Sequence, residues 1–238
     1  MTARYAIYFA PPAHSPLARF GTAWLGRDAE TGARMVRPAV EGFSDERLER
    51  ITEVPRGYGF HATLAPPMRL AEGCTRGMLD AALAAFARAR QAFRAPPLRL
   101  ASLDGFLALV LTDASKPTQA LEDDIIHTFH RFRAPPTPAE YIRRETGTHT
   151  PRQEELLRQW GYPFVLGEFR FHMSLTCGLD QDERRALQQA LEALTAPLCA
   201  RPLAVDGIAL FEQEAKGVPF KLTRRYPFGT WQRRAVDD

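Results

Sequence analysis

The chain has 238 residues, of which 45% are hydrophobic and 25% charged, and its formal net charge is +3. This is an ordinary globular composition, and no stretch approaches the run of about 18 apolar residues that a membrane-spanning helix needs. Three cysteines, Cys74, Cys177 and Cys199, lie far apart without CxxC spacing, which argues against a disulfide framework or a zinc knuckle. We therefore expect one cytoplasmic, two-lobed domain over residues 1–238 that has no membrane contact.

Hydrophobic periodicity predicts an α+β chain. In chain order the predicted elements are a strand at 5–10, a strand at 60–64, a helix at 74–93, strands at 98–103 and 106–112, a helix at 117–132, a short helix at 151–160, a strand at 169–176, a helix at 180–198, and strands at 203–211 and 220–226. The apolar run at 5–10 is too short for a signal peptide and is more typical of a first strand. The segment 133–162 reads as a long connection.

The same order of elements occurs twice. HATLAPP is followed by a long amphipathic helix and PPLRLASLDGFLALVL, and HMSLTCG is followed by another such helix and RPLAVDGIALFEQE. We interpret this as an internal duplication in which each lobe contributes one histidine-bearing strand to a shared cleft, with the first motif near residues 58–67 and the second near 169–177.

Both histidine strands are predicted to be two-faced. Successive side chains of a strand point to opposite faces, so His61 and Thr63 share one face, as do His172, Ser174 and Thr176. The residues between them are apolar and suited to a core. Two strands that each expose an imidazole and a hydroxyl are hard to explain by core packing.

Two imidazoles and two hydroxyls suit the chemistry of a phosphodiester. One neutral imidazole can accept a proton from water while a second, protonated imidazole donates one to the departing oxygen. The hydroxyls of Thr63 and Ser174 can donate hydrogen bonds to the non-bridging phosphate oxygens.

Packing and metal binding are the alternatives. His61 alone would more often be a packed core residue, and only the second motif shifts that balance. A metal site would have to recruit His14 or His149, since each strand offers a single histidine ligand. His127 and His130 lie three apart on the predicted helix 117–132 and are more often surface polarity. We therefore expect no metal and no cofactor.

The two motifs, His61-Ala62-Thr63-Leu64 and His172-Met173-Ser174-Leu175, resemble those of the two-histidine (2H) phosphoesterase superfamily. The contexts YGFHATLAPP and FRFHMSLT are similar to the branch associated with bacterial phosphonate operons, a family labelled as of unknown function (DUF1045-like). The resemblance extends over nearly the whole chain. It implies two α+β lobes with antiparallel sheets, helices outside and a central cleft.

The resemblance also implies an activity: metal-free opening of cyclic phosphodiesters or RNA 2',3'-cyclic ends, or RNA joining through a 2',5' bond. By this likeness, His61 and His172 form the acid–base pair, and Thr63 and Ser174 hold the phosphate. The phosphonate association suggests 5-phosphoribosyl 1,2-cyclic phosphate as the substrate. An RNA-processing enzyme and a binding module that senses a phosphorylated ligand without turnover are the rival hypotheses.

The branch leads us to expect a lysine after HATL, where this chain has Ala65. If that lysine assists phosphate binding, Arg56, Arg69 or an arginine of the other lobe must replace it. The partner expected is a phosphorylated small molecule, with RNA less favoured. The candidate substrate-binding residues are Tyr58, Arg56, Thr176, Arg143, Arg144, Lys221 and Arg224.

Overall fold

The computed structural model describes residues 3–137 and 149–229. Its strands are β1 (Arg4–Phe9), β2 (Ala62–Met68), β3 (Phe93–Leu103), β4 (Phe106–Leu111), β5 (His172–Ser174), β6 (Pro202–Val205), β7 (Gly207–Gln213) and β8 (Lys221–Pro227). Its helices are α1 (Pro16–Leu25), α2 (Asp45–Ile51), α3 (Glu53–Tyr58), α4 (Arg76–Arg88), α5 (Lys116–Phe129), α6 (Pro151–Trp160) and α7 (Gln181–Cys199), with short 3-10 turns at His130–Phe132 and Leu166–Glu168.

The strands form one sheet in the order β6-β3-β4-β5-β2-β1-β7-β8, and each neighbouring pair is antiparallel. The predicted α+β class with antiparallel strands is confirmed. The two halves, β6-β3-β4-β5 and β2-β1-β7-β8, are continuous through the β2–β5 pair. The histidine strands are therefore neighbours in one sheet and not opposed strands of two separate sheets.

The sheet halves do not coincide with the halves of the sequence. After β2 the chain crosses to build β3 and β4 beside β5, and after β5 it adds β6 to that same half before returning to build β7 and β8 beside β1. The order of elements in the proposed duplication is thus kept while strands are exchanged between the sheet halves.

The two faces of the sheet are packed differently. Alternate strand residues, among them Ile7, Leu64 and Met173, are buried with helix side chains in one large core. Strand residues of the other parity form two small clusters, one around Tyr8 and Phe211 and one around Ala108 and Val110. The histidine strands run between these two small clusters.

Several element boundaries differ from the sequence prediction. The helix predicted at 74–93 extends over Arg76–Arg88, and Phe93 already belongs to β3. The strand predicted at 203–211 is divided at Asp206 into β6 and β7. The strand at 169–176 is paired only over His172–Ser174, and α2 and α3 were not predicted. The short helix at 151–160 is confirmed.

Two of the helices that precede β2 begin at ordinary capping residues. The Ser15 hydroxyl accepts the backbone N–H of Ala18 at the start of α1, and Ser44 accepts that of Arg47 at the start of α2. Within the described part of the chain, no helix combines the length and apolar character needed to cross a membrane.

Candidate active site

The β2–β5 register places both motifs around one local two-fold axis. Ala62 is paired with Met173, so in this antiparallel ladder His61 lies opposite Ser174, and Thr63 lies opposite His172. Rotation about the axis between the strands exchanges the two histidines and the two hydroxyl residues. Diagonal neighbours of this kind have Cβ atoms roughly 7–8 Å apart, a spacing that accommodates a phosphate between two imidazoles.

The burial pattern confirms the predicted faces. The intervening residues Phe60, Ala62 and Leu64 are buried in the main core, as are Met173 and Leu175. The imidazoles and hydroxyls are partly exposed on the opposite face.

Each imidazole is oriented by the backbone just before it. Nδ1 of His61 lies 2.8 Å from the carbonyl oxygen of Gly59, and Nδ1 of His172 lies 2.7 Å from that of Arg170. Because a carbonyl only accepts, Nδ1 carries the proton in both rings, and Nε2 is left to act in the site. Nε2 of His61 lies 3.2 Å from the Thr63 hydroxyl, which donates to it.

Gly59 makes the first of these contacts possible. It ends α3 with φ of 83°, a left-handed value that favours glycine. A Cβ there would lie 2.6 Å from the Cβ of Ala29. A larger residue would displace the carbonyl that holds His61.

Aromatic rings cover His61. The Tyr8 ring stacks on the imidazole with centroids 3.7 Å apart, and the Phe211 and Tyr58 rings lie at 5.8 and 6.4 Å. Burial lowers the pKa of His61, the hydrogen bond to the Gly59 carbonyl partly opposes this, and the charge of His172 adds a smaller lowering; together they bring the pKa to about 4. His61 is therefore neutral near pH 7 and able to accept a proton.

The chain segment that leads into β5 and His172 contains a turn that side chains of α5 hold in place. Leu166 has a left-handed φ of 53°; its N–H donates to the Glu122 carboxyl group, at 3.0 Å to Oε2, and its carbonyl accepts from Gln119 at 2.8 Å. Glu122 is only 1% exposed, and burial raises its pKa to about 8. A second tie, from the Trp24 indole N–H to the Leu175 carbonyl at 2.8 Å, anchors the other end of β5.

Two adjoining cavities flank the motifs. A trench of about 540 Å³ contains His61, Thr63 and Ser174, and a smaller cavity of about 220 Å³ contains Thr63 and His172. Besides these residues, the trench is lined by Arg4, Tyr8, Tyr58 and Thr176, and the smaller cavity by Phe106, Glu122, Tyr162, Phe164, Phe169 and Arg170.

The other predicted binding residues divide into three groups. Tyr58 and Thr176 line the trench, although Thr176 is 2% exposed and its hydroxyl accepts the Leu107 N–H at 2.9 Å. Neither cavity is lined by Arg56, which is paired with Glu49, by Lys221, which is paired with Glu214, or by Arg224, which is paired with Asp80. Arg143 and Arg144 lie outside the described residues.

Ala65 lies away from the histidines. The β1–β2 register shifts after the Thr63 pair, and this irregularity turns Ala65 into the main core, where it is 5% exposed and adjoins Ile126 and Phe129 of α5. A lysine here would point toward α5, so the trench does not require a replacement for it. Arg69 donates to the Pro135 carbonyl and lines neither cavity.

The remaining histidines do not join the site. His127 and His130 share one face of the α5 region, and each meets the Trp160 ring edge-on at 4.9 Å. His14 and His149 line neither cavity. No group of three or more His, Cys, Asp or Glu residues suited to a metal occurs within residues 3–137 and 149–229.

Three residues at the site escaped sequence reasoning. Arg4 and Tyr8 enter through the β1–β2 and β1–β7 pairings, and Glu122 enters from α5. Alternation within residues 5–10 predicts which face of the strand carries Tyr8, but it does not predict what Tyr8 contacts. Only the pairing register of β1 with β2 places Tyr8 beside His61.

Comparison with known proteins links the chain to two kinds of relative. A family model described as "Protein of unknown function (DUF1045)" matches residues 63–221. "Ribose 1,5-bisphosphate phosphokinase PhnN" of Janthinobacterium sp. (strain Marseille) is 35% identical over 236 residues, covering 98% of this chain and 52% of the relative. The protein of that name from Laribacter hongkongensis (strain HLHK9) is 35% identical over 226 residues, covering 93% and 51%. The chain thus spans about half the length of these curated relatives.

Solved structures of Escherichia coli LigT align along most of the chain at low similarity. LigT complexed with 3'-AMP is 12% identical, with a TM-score of 0.44 over 96% of this chain and 99% of LigT. LigT complexed with NADP+ is 11% identical, with a TM-score of 0.43 over the same shares.

Proposed function

The chain belongs to the DUF1045 family, and we propose that it is a metal-independent 2H phosphoesterase that opens a cyclic phosphodiester. The observation that carries the proposal is the β2–β5 register. It relates His61 and Thr63 to His172 and Ser174 by a local two-fold axis, with Nδ1 of each imidazole fixed to a carbonyl.

His61 is the general base. It is neutral because burial lowers its pKa to about 4, and its Nε2 is the acceptor. Nε2 takes a proton from water as the water oxygen forms a bond to phosphorus. A positioned base of this kind contributes about a hundred- to ten-thousandfold in rate.

His172 is the general acid. Its ring is the less enclosed of the two, and its protonated Nε2 delivers a proton to the sugar oxygen as the phosphorus–oxygen bond breaks. Solvent then carries the proton from His61 back to His172. With substrate bound, the Thr63 hydroxyl donates to a non-bridging oxygen in place of Nε2 of His61, and the Ser174 hydroxyl donates to the other. The charge of these oxygens must be stabilised in the transition state.

The proposed substrate is 5-phosphoribosyl 1,2-cyclic phosphate. Cleavage of its bond between phosphorus and O2 yields ribose 1,5-bisphosphate, the compound in the name of the curated relatives. Since the chain aligns with about half of those proteins, a matched half that makes this product and a remainder that phosphorylates it would act in sequence. Such a sequence of steps would support a role in phosphonate breakdown.

An RNA 2',3'-cyclic end is the second candidate. The observation in its favour is the cavity beside His172, where the rings of Phe106, Tyr162 and Phe164 offer surfaces on which a base can stack. A small sugar phosphate has no base to fill this cavity.

The test is hydrolysis in EDTA, with products identified by phosphorus NMR. Wild type should convert 5-phosphoribosyl 1,2-cyclic phosphate to ribose 1,5-bisphosphate, while His61→Ala and His172→Ala should each be about a thousandfold slower. His127→Ala, a histidine outside both cavities, is the matched control.

Four results would contradict the proposal. Both histidine variants retaining the wild-type rate would remove the acid–base pair, and loss of wild-type activity in EDTA would remove metal independence. Faster turnover of a cyclic-ended oligonucleotide than of the sugar would favour RNA. Tight binding without product would indicate a sensor.

A further inference from the structure

Arg4 brings a permanent positive charge into the trench. It lies on β1 four residues before Tyr8 and therefore on the same face of the strand. Among the described residues that line the trench, Arg4 is the one arginine or lysine. The same trench is lined by His61, Thr63 and Ser174.

Neutral groups hold the Arg4 side chain in place. Its Nε donates to Oε1 of Gln213 at 2.7 Å, and the buried Gln213 amide is itself oriented by donating from Nε2 to the Val218 carbonyl at 2.7 Å. The guanidinium carbon lies 5.5 Å from the centre of the Phe220 ring. These contacts engage Nε and leave the two terminal nitrogens for another acceptor.

Arg4 differs in this respect from the arginines around it. Arg56, Arg76, Arg224 and Arg225 each form an ion pair with a carboxylate. In the part of the chain that the structure describes, no carboxylate lies within ion-pair distance of Arg4. A guanidinium fixed at Nε, supported by an aromatic ring and not neutralised, is suited to bind a phosphate through two parallel hydrogen bonds.

We infer that Arg4 binds a phosphate monoester carried by the same molecule as the scissile cyclic diester. The inference rests on the proposed function and deepens it: the two histidines act on the diester, and Arg4 selects substrates that bear a second, remote phosphate. Arg4 lines the trench, whereas the predicted substrate-binding residues Lys221 and Arg224 line neither cavity.

The test compares two substrates, 5-phosphoribosyl 1,2-cyclic phosphate and ribose 1,2-cyclic phosphate without the 5-phosphate. Arg4→Gln should lower kcat/KM for the phosphorylated substrate roughly thirtyfold, because charge-assisted bonds to the monoester are lost. It should leave kcat/KM for the other substrate unchanged. Arg4→Lys should recover part of the loss, and Arg90→Gln, which removes an arginine paired with Asp124 outside the trench, should behave as wild type.

Direct binding separates this inference from the proposed function. Calorimetry should show that wild type binds ribose 5-phosphate more tightly than ribose and that Arg4→Gln loses the difference. If neither cyclic substrate is hydrolysed but this difference holds, the anion site stands and the proposed reaction fails. If wild type hydrolyses both substrates and Arg4→Gln reduces them equally, or reduces neither, the anion site is wrong while the proposed reaction stands.

Discussion

The two histidine strands share a backbone arrangement but differ in what surrounds each imidazole. In the register of the sheet, Tyr8 of β1 pairs with Thr63, and Ala108 of β4 pairs with Ser174. The local two-fold axis therefore relates a tyrosine beside one motif to an alanine beside the other. Tyr8 stacks on His61 at 3.7 Å, whereas the Phe106 ring stands 5.9 Å from that of His172.

Under the proposed function, this difference divides the roles of base and acid between the two copies of the motif. Both rings keep Nε2 for the site through the same carbonyl contact, so orientation does not distinguish them. The two rings differ in their enclosure, and an imidazole that is removed from water is less readily protonated. The enclosed His61 is suited to start the reaction as a neutral base, and the more open His172 to start it as the acid.

The largest expected effect on the rate of hydrolysis comes from replacing the two histidines one at a time. An ester with a p-nitrophenolate leaving group needs no proton from an acid, so His172→Gln should hydrolyse bis(p-nitrophenyl) phosphate at close to the wild-type rate. His61→Gln should lose about a thousandfold on this ester and on the cyclic substrate alike. Steady-state rates on both substrates give the measurement.

The opposite pattern would reverse the roles. If His61→Gln kept the nitrophenyl activity and His172→Gln lost it, His172 would be the base. Equal losses in both variants would mean that enclosure by Tyr8 does not divide the roles.

A smaller effect is expected from opening the cover over His61. Tyr8→Leu removes the stacked ring, so water reaches the imidazole and its pKa should rise from about 4 toward its ordinary value. The acid limb of the kcat/KM profile should move to higher pH by about one unit or more. NMR titration of the His61 ring protons provides a second measurement of this pKa.

Phe106→Leu, beside His172, is the matched control and should leave the pKa of His61 unchanged. If the acid limb of the kcat/KM profile stays near pH 4 in Tyr8→Leu, groups other than Tyr8 lower this pKa.

Much of the site could be predicted because it depends on local alternation. The contexts of His61 and His172 indicated the family, and the family model confirms that assignment. Strand periodicity placed each imidazole and hydroxyl on one face, and the burial of Phe60, Ala62 and Met173 agrees.

The rest depends on contacts between residues distant in the sequence. Arg4 is oriented by Gln213 across 209 positions, and no local pattern signals such a pair. The family resemblance led us to expect a lysine at the position of Ala65, but the register shift between β1 and β2 turns this position into the core. The start of α2 does carry a local signal, Ser44 before two acidic residues, from which this helix could have been predicted.

The last comparison concerns stability, and it depends on how the backbone carbonyl that orients each imidazole is held in place. Gly59 is fixed by the end of α3, whereas Arg170 follows a turn that Glu122 holds from α5. The folded-state pKa of Glu122 is about 8, against about 4.3 for an exposed glutamate. Between these values the folded chain keeps a proton that the unfolded chain releases, so the free energy of unfolding should fall as pH rises, by about 3 kcal/mol between pH 5 and 8.

Glu122→Gln should abolish that decline. Its amide oxygen can still accept the Leu166 N–H, and it has no proton to release, so denaturant unfolding of the variant should vary less between pH 5 and 8 than that of wild type. The lowered pKa of His61 affects the free energy of unfolding in the opposite direction, because the stability that its neutral form contributes is lost as pH falls from about 6.5 to 4. This contribution is the same in Glu122→Gln and in wild type, so it cancels when the two proteins are compared. Glu192→Gln, at an exposed position of α7, is the control that should keep the wild-type slope. A Glu122→Gln slope equal to that of wild type would mean that Glu122 is charged in the folded chain and that the turn before His172 is held by a carboxylate.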